Sequence, residues 1–496
     1  MKKTFLVVFL SLINLSLFGQ IQNIENLSTG VFYDRTVLTD GENELIGHAL
    51  IFNKGLIEDG AKIQYEYVLL DNNLNKITNG DFEFINFDKI NFVLRSTLFY
   101  NQKLYLTSTF INRSITATYG ELVTVIDLNN SKVESHKYFS QDEIYEFENI
   151  SDFEEKIQVN NLLYFPFLRL HPLDGEMYFT HEKRSIYNQP SLTREISAYT
   201  PKFEKTFEFT FGTRREKNDF IVEDITDNKL TILKSDLINR SRSEDRLITF
   251  DIKTGEELLN VAYNGRTASV STYAMPFAEY INNQLMVIGE VKAFKPLFSI
   301  DLPYRPSFGI RRTVYDDKGE AIIDKIIRYR DIFEEYGFVD GRDKKRYRYS
   351  LREWFNFDDA SFAVLLEKQK GDHLGKVVRT SDYVLVSFDS TGEYISHHVL
   401  ERDRMRQFDS YLFSQVNKQE NEVLFFYADI VRENRQRKAF LTVNKLKNGE
   451  LTQEILPYQT ESSYLRFSKT KYGYILISEY DKEEKESYIR LEKLNI

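Results

Sequence analysis

The chain of 496 residues has no cysteine, and that absence removes disulfide frameworks, thiolate zinc sites, iron–sulfur clusters, cysteine nucleophiles and a lipidated N-terminal cysteine. Glycine (22) and proline (9) are too few for a collagen-like or linker-dominated chain, and no low-complexity tract interrupts it. Tryptophan occurs once, which is few for a platform that stacks sugars. No GxSxG elbow, HExxH pair, Gly-rich phosphate loop or EF-hand loop is found, so no catalytic residue can be named, and nothing calls for a cofactor or a metal. A formal net charge of -10 repels a nucleic-acid backbone, which argues against a nucleic-acid partner.

What the chain has in quantity is strand-forming material: Phe 39, Tyr 31 and 42% hydrophobic residues overall. The N-terminus carries a basic Lys2-Lys3 followed by the apolar run Thr4 to Phe18 and a small Gly19 before Gln20. That order predicts a signal peptide over residues 1–19 and an exported mature chain, periplasmic, surface-bound or secreted. An uncleaved anchor is the alternative. After residue 20 no stretch approaches the ~20 apolar residues of a membrane helix, so no transmembrane span is expected in the mature chain.

Internal repetition organises the rest. The clearest unit is FIVEDITDNKLTILKSDLI from Phe220 followed by RLITFDIKTGEELLNVAYN from Arg246, four alternating apolar runs separated by turn residues. Leu247, Thr249 and Asp251 share one face of a predicted strand and Ile248, Phe250 and Ile252 the other, since strand side chains alternate with period two. Related strand–turn–strand pairs begin at Tyr65, Gly120, Arg194, Gly309, Asp382 and Ala439, and a second kind of hairpin begins at Leu98, Tyr280, Gln415 and Lys469. Two hairpins per unit make four strands. After Tyr480 only Ser487 to Ile496 remains, leaving the last unit one strand short, a place that Ile21 to Leu27 can fill.

The arrangement resembles the β-propeller superfamily, and RLITFDIKTGEELLNV is similar to the outer hairpin of quinoprotein-like and NHL-type blades. The resemblance implies an exported bacterial, all-β protein: a single β-propeller over residues 20–496 with seven to eight four-stranded blades, eight favoured, closed by the N-terminal strand. A WD dipeptide, an Asp-box and repeated tryptophans are missing, so no functional residue carries over. An outer-membrane barrel and an array of sandwich domains are the other all-β possibilities. Uneven charged segments between hairpins oppose the first, and the lack of linkers opposes the second.

Two sets of residues are candidates for ligand contact. Arg240, Arg242 and Arg246 lie between the second and third predicted strands of one unit, and Arg432, Arg435 and Arg437 hold the same place in another. Arginine forks suit carboxylate, sulfate or phosphate, so an anionic glycan is one partner and an envelope protein another. The second set, Tyr347, Tyr349 and Trp354, sits in a stretch at about 331–358 that departs from the repeat and reads as a long insertion. His397 and His398 are adjacent on a predicted strand and should face opposite ways. The function expected is a non-enzymatic binding or scaffolding module of the cell envelope. The alternative is a polysaccharide hydrolase or lyase with carboxylates converging at the propeller centre.

Overall fold

The computed structural model describes residues 21–496 apart from 41–43, 87–89, 113–116, 140–143, 148–163, 186–192, 214–218, 227, 240–241, 264–265, 268–269, 273–276, 294–306, 338–340, 372–376, 403–410, 434–435, 458–463 and 481–485. The expected signal peptide therefore lies outside the described residues. The chain divides into two compact units, Met1–Met177 with Glu454–Ile496, and Tyr178–Gln453.

In the first unit β1 (Ile21–Asn23) is followed by β2 (Val31–Thr39), β3 (Leu45–Ile57), β4 (Lys62–Asp71) and β5 (Lys76–Ile85), an antiparallel meander. A second meander runs through β6 (Ile90–Tyr100), β7 (Lys103–Asn112), β8 (Ala117–Asp127), β9 (Lys132–Phe139) and the short β10 (Ile144–Phe147). The two join along a brief parallel contact of β2 with β6, Leu38 opposite Thr97. Next comes β11 (Tyr164–Leu173).

The second unit continues with β12 (Glu176–Ser185), β13 (Thr193–Tyr199) and β14 (Lys205–Thr213), then the four-stranded sheet of β15 (Asp219–Thr226), β16 (Lys229–Asn239), β17 (Arg242–Asp251) and β18 (Glu257–Ala262). The next sheet holds β19 (Arg266–Thr267), β20 (Val270–Thr272), β21 (Phe277–Ile281), β22 (Gln284–Ala293), β23 (Ser307–Tyr315) and β24 (Ala321–Arg328), with β20 and β21 sharing one edge of β22. After a helical turn, α1 (Tyr329–Ile332), come β25 (Arg348–Asn356), β26 (Phe362–Gly371), β27 (Val377–Phe388) and β28 (Tyr394–Leu400), and then β29 (Tyr411–Asn417), β30 (Glu422–Glu433), β31 (Gln436–Lys447) and β32 (Glu450–Pro457). The chain ends in the first unit with β33 (Tyr464–Ser468), β34 (Tyr474–Tyr480) and β35 (Glu486–Lys493). Upon β35 lies β1, antiparallel, with Gln22 opposite Ile489. The fold is thus nearly all β, a propeller-like succession of sheets in which groups of four antiparallel strands recur.

Packing explains why the apolar runs are continuous. Along β26, Phe362, Val364 and Leu366 enter one core with Ile288, Ile310 and Ile327 of the preceding sheet, while Ala363 and Leu365 enter another with Val423, Phe425 and Leu446 of the following sheet. Both faces of one sheet are buried, so the alternation sorts residues between two dry cores rather than between core and water. The first unit repeats this. Ala49 and Ile51 of β3 pack with Leu104 and Leu122, whereas Leu50 and Phe52 pack with Leu476, Ile489 and Leu491 of the last sheet. Each large aliphatic side chain hidden in this way contributes about 1.5–3 kcal/mol.

Turns and bulges set the register. Asp316 accepts the backbone N–H groups of Lys318 (3.0 Å) and Glu320 (2.8 Å), and Asp389 those of Thr391 (2.9 Å) and Glu393 (2.8 Å). Gly319 and Gly392 complete these turns in the left-handed region, each at φ 80°. The first strand of several groups is broken by one extra residue at the same place: Tyr33 in β2, Arg95 in β6, Arg352 in β25 and Leu412 in β29. Such bulges bend a strand and re-aim the side chain they carry.

The 331–358 stretch is shorter as an irregular segment than its sequence suggested. Arg348–Asn356 pairs as β25 with β26, because Tyr349, Leu351 and Phe355 alternate into the core as any first strand requires.

Candidate functional site

The residues expected to meet a ligand are scattered through the second unit. Arg240 and Arg435 lie outside the described residues. Arg242 opens β17 and pairs with Asn239, while Arg432 and Arg437 pair with each other near the end of the β30–β31 hairpin; both hairpins join second and third strands of four-stranded sheets. Arg246 sits further down β17, opposite Lys234, where its Nε donates to Asn260 Oδ1 at 2.6 Å. Tyr347 and Tyr349 are buried, so neither presents a surface to a ligand. Tyr349 stacks on Phe333 with centroids 5.4 Å apart, and Lys368 lies 5.6 Å from the Tyr347 ring. Trp354 is half-buried and stacks on Phe277. Tyr349 and Trp354 pack inward as residues of β25, which pairs with β26 on either side of its bulge at Arg352. His397 and His398 do turn opposite ways: His397 Nδ1 is 2.8 Å from Tyr394 Oη, and His398 Nε2 donates to the Gly449 carbonyl at 2.6 Å.

Nearby, Glu367 is fully buried and is held by Arg352, by Arg402 Nη2 (2.6 Å) and by Gln369 Nε2 (2.8 Å). Arg402 in turn lies 4.1 Å from the Tyr383 ring. A carboxylate so enclosed is spoken for by its partners, and the cluster reads as a structural ionic lock.

A cavity with convergent polar groups lies in the first unit. It measures about 970 Å³ and lies between the segment Ile24 to Val37 and the last sheet. Its cationic lining groups are Arg35 of β2 and Arg466 of β33, its carboxylates Glu25 and Asp34, and its aromatics Phe32, Tyr33 and Tyr480. Arg35 Nη2 donates to Ser468 Oγ at 3.1 Å, tying the first meander to the last sheet. The rim is pinned from behind: Ser28 Oγ donates to the buried Glu66 at 2.6 Å and accepts the Gly30 N–H at 2.9 Å. His48, on the cavity floor, has its pKa lowered to about 3 by burial and by the Arg35 charge, so its imidazole is neutral. Positive charge in the cavity is therefore arginine charge. Two guanidinium forks with hydroxyls and tyrosines beside them suit a polar ligand bearing an oxyanion.

None of these cavity residues stands out in a search for catalytic or hairpin motifs. A usable signal is nonetheless present: Leu-Arg recurs at 94–95, 168–169, 351–352 and 465–466, each time within a first strand. Among the described residues no group of three His, Asp or Glu side chains is arranged to hold a metal ion, and no helix is long and apolar enough to cross a membrane.

Compared with known proteins, residues 380–495, well under half of the chain, match the model of a family of unknown function (DUF6770). No curated protein matches the chain. Among solved structures it is similar to a eukaryotic initiation factor, at 9% identity over 87% of this chain and 89% of that one, with a TM-score of 0.40. It is also similar to the β-propeller domain of the Trilobed protease from Pyrococcus furiosus, at 10% identity over 83% and 97% with a TM-score of 0.35. An α-L-arabinofuranosidase from Fusarium graminearum aligns at 9% identity over 68% and 94%, with a TM-score of 0.30.

Proposed function

We propose that the chain is an exported binding module of the cell envelope, an eight-bladed propeller that takes an anionic ligand in the cavity between β2 and β33. In this reading each group of four strands is one blade: β2–β5, β6–β9, β11–β14, β15–β18, β21–β24, β25–β28, β29–β32, and β33–β35 completed by β1. Blades that bury both faces, as β25–β28 does, need a neighbour on each side, and a closed ring supplies one to every blade. Export rests on the basic and apolar N-terminus.

The observation that carries the reading is the placement of Arg35 and Arg466, from opposite ends of the chain, in the lining of one cavity. The arginines near the ends of the β16–β17 and β30–β31 hairpins are kept in this reading as second candidates for contact with an envelope partner.

Calorimetric titration with galacturonate, a monoanion, tests the cavity. Saturable binding that weakens at least tenfold in Arg35→Ala and in Arg466→Ala supports the reading, since one charge-assisted pair is worth about 1.5–3 kcal/mol. Equal affinity in all three proteins removes it. Release of cleaved product from a polysaccharide during the same incubation favours the hydrolase or lyase instead, with Glu25 and Asp34 as its acid and base.

A further inference from the structure

Lys368 of β26 stands between two carboxylates that come from different parts of the second unit. Its Nζ lies 3.4 Å from Asp343 Oδ2 and 3.4 Å from Asp382 Oδ2. Both contacts are longer than the ~2.7–2.9 Å of a tight charge-assisted bond. The backbone builds the site from three sides. Tyr349 of β25 lies opposite Lys368, and the register of β26 with β27 shifts between Glu367 and Gln369, beside Asp382. Asp343 closes the turn that leads into β25: its N–H donates to the Tyr347 carbonyl and its Oδ1 accepts the Tyr347 N–H, both at 2.8 Å, while Oδ2 faces Nζ.

Little water reaches these groups. Lys368 is 9% and Asp343 6% exposed, and the rings of Tyr347 and Tyr349 wall the amine at 5.6 and 6.0 Å. An ion pair in such surroundings loses much of the hydration that favours it over a neutral amine and acid. Groups fixed side by side also react as if at an effective concentration of about 10⁵–10⁸ M, and the lysine's flexible stem lets Nζ close on Cγ of Asp343, one bond beyond Oδ2.

We infer that Lys368 and Asp343 join in an amide bond, with Asp382 as the catalytic proton carrier. Nζ, having given up a proton, attacks Cγ of Asp343; the Nζ–Cγ bond forms and the Cγ–Oδ2 bond breaks. Of the three protons on the lysine ammonium, one stays on the amide nitrogen and two leave with Oδ2 as water, passed on by Asp382. Charge that develops on Oδ1 is met by the Tyr347 backbone N–H already bonded to it. The step needs no oxidant and no cofactor. The bond fastens the turn before β25 to β26 and closes a loop in the unfolded chain as a disulfide does, in a protein with no cysteine to make one.

Intact-mass spectrometry of the denatured full chain tests this, beside Lys368→Arg and Asp382→Asn prepared in the same way. Wild type should weigh one water less than its sequence requires from the measured N-terminus, and digestion should release a branched peptide joining Asp343 to Lys368. Lys368→Arg should show its full sequence mass. Asp382→Asn should remain mostly unjoined, since general acid–base help is worth about 10²–10⁴-fold in rate. The branched peptide is read on wild type, so a variant that folds poorly cannot imitate it. A wild-type chain of full mass without that peptide, which means an ion pair only, overturns the inference; so does a cross-link as complete in Asp382→Asn as in wild type, or one that joins Lys368 to another carboxylate.

Discussion

Asp389 shows how much work one side chain does in this fold. Its carboxylate accepts the Thr391 hydroxyl at 2.7 Å as well as two backbone N–H groups, and these bonds, the hydroxyl first, hold its pKa below the usual carboxylate range against the opposing cost of desolvation. A lowered folded pKa adds stability above the unfolded value near 4 that is lost as pH falls through the folded one. Asp389→Ala should cost about 1 kcal/mol in urea denaturation, and Asp389→Asn, which keeps an acceptor oxygen, less. The glycine of such turns has one revealing substitute. Leu74 holds the corresponding place after Asp71 at φ 63°, a strained conformation for leucine, yet it is fully buried against Ile24 and Leu491. Leu74→Gly relieves roughly 1–2 kcal/mol of strain but forfeits burial and leaves a void costing about 3–5 kcal/mol, so a net loss of stability is expected. The Asp-x-x-Gly turns were legible in the sequence because their chemistry is local; Leu74 was not, because its compensation comes from residues far along the chain.

At the level of strands and sheets, period-two apolar runs announced the hairpins well. Those beginning at Tyr65, Gly120, Asp382 and Ala439 became β4–β5, β8–β9, β27–β28 and β31–β32. Misreading began where a strand was polar. Arg348–Asn356 looks like a basic, aromatic insertion because Arg352 occupies a bulge and Arg348 is buried, so the alternation is interrupted by charge. Burial of Tyr347 and Tyr349 could not be seen either, since it depends on sheets that are distant in sequence. The ionic lock on Glu367 is equally non-local. Removing one partner strands the buried carboxylate, so Arg402→Ala should destabilise the second unit by about 3 kcal/mol or more, whereas Glu367→Gln, which removes the buried charge itself, should cost less. Thermal unfolding followed by near-ultraviolet circular dichroism compares the two. The cavity was the least legible feature, because Arg35 and Arg466 belong to strands 431 residues apart and Arg35 lies outside the recurring Leu-Arg pair.

Over the whole molecule, buried titratable groups of the first unit give opposing pH limbs. Burial lowers the pKa of His136 to about 4 and, with help from Arg169, that of His171 to about 3, and His48 behaves alike. Between these values and the ordinary 6.5 the unfolded chain binds more protons, so stability should fall as pH drops from about 6.5 towards 4. Glu121 has the opposite sign: raised to about 8 by burial, it keeps its proton in the folded state, so stability should fall as pH rises from about 4.5 through 8. Where the two windows overlap the three histidines outweigh the one carboxyl, so melting temperature should rise with pH up to about 6.5 and fall from there through 8, and Glu121→Gln should flatten the alkaline side.

The site itself depends on the two ends of the chain meeting. Ile24 packs against Leu476, Ile489 and Leu491 immediately after β1 pairs with β35, and the segment that follows forms one wall of the cavity. The most direct measurement is the galacturonate affinity of a chain lacking Ile21–Asn23, taken beside a Gln22→Cys, Ile489→Cys chain whose single disulfide fastens the same pair. Deletion is expected to weaken binding at least tenfold while the cross-linked chain binds as wild type does; full affinity without β1 would contradict a ligand site built by the joining of the termini.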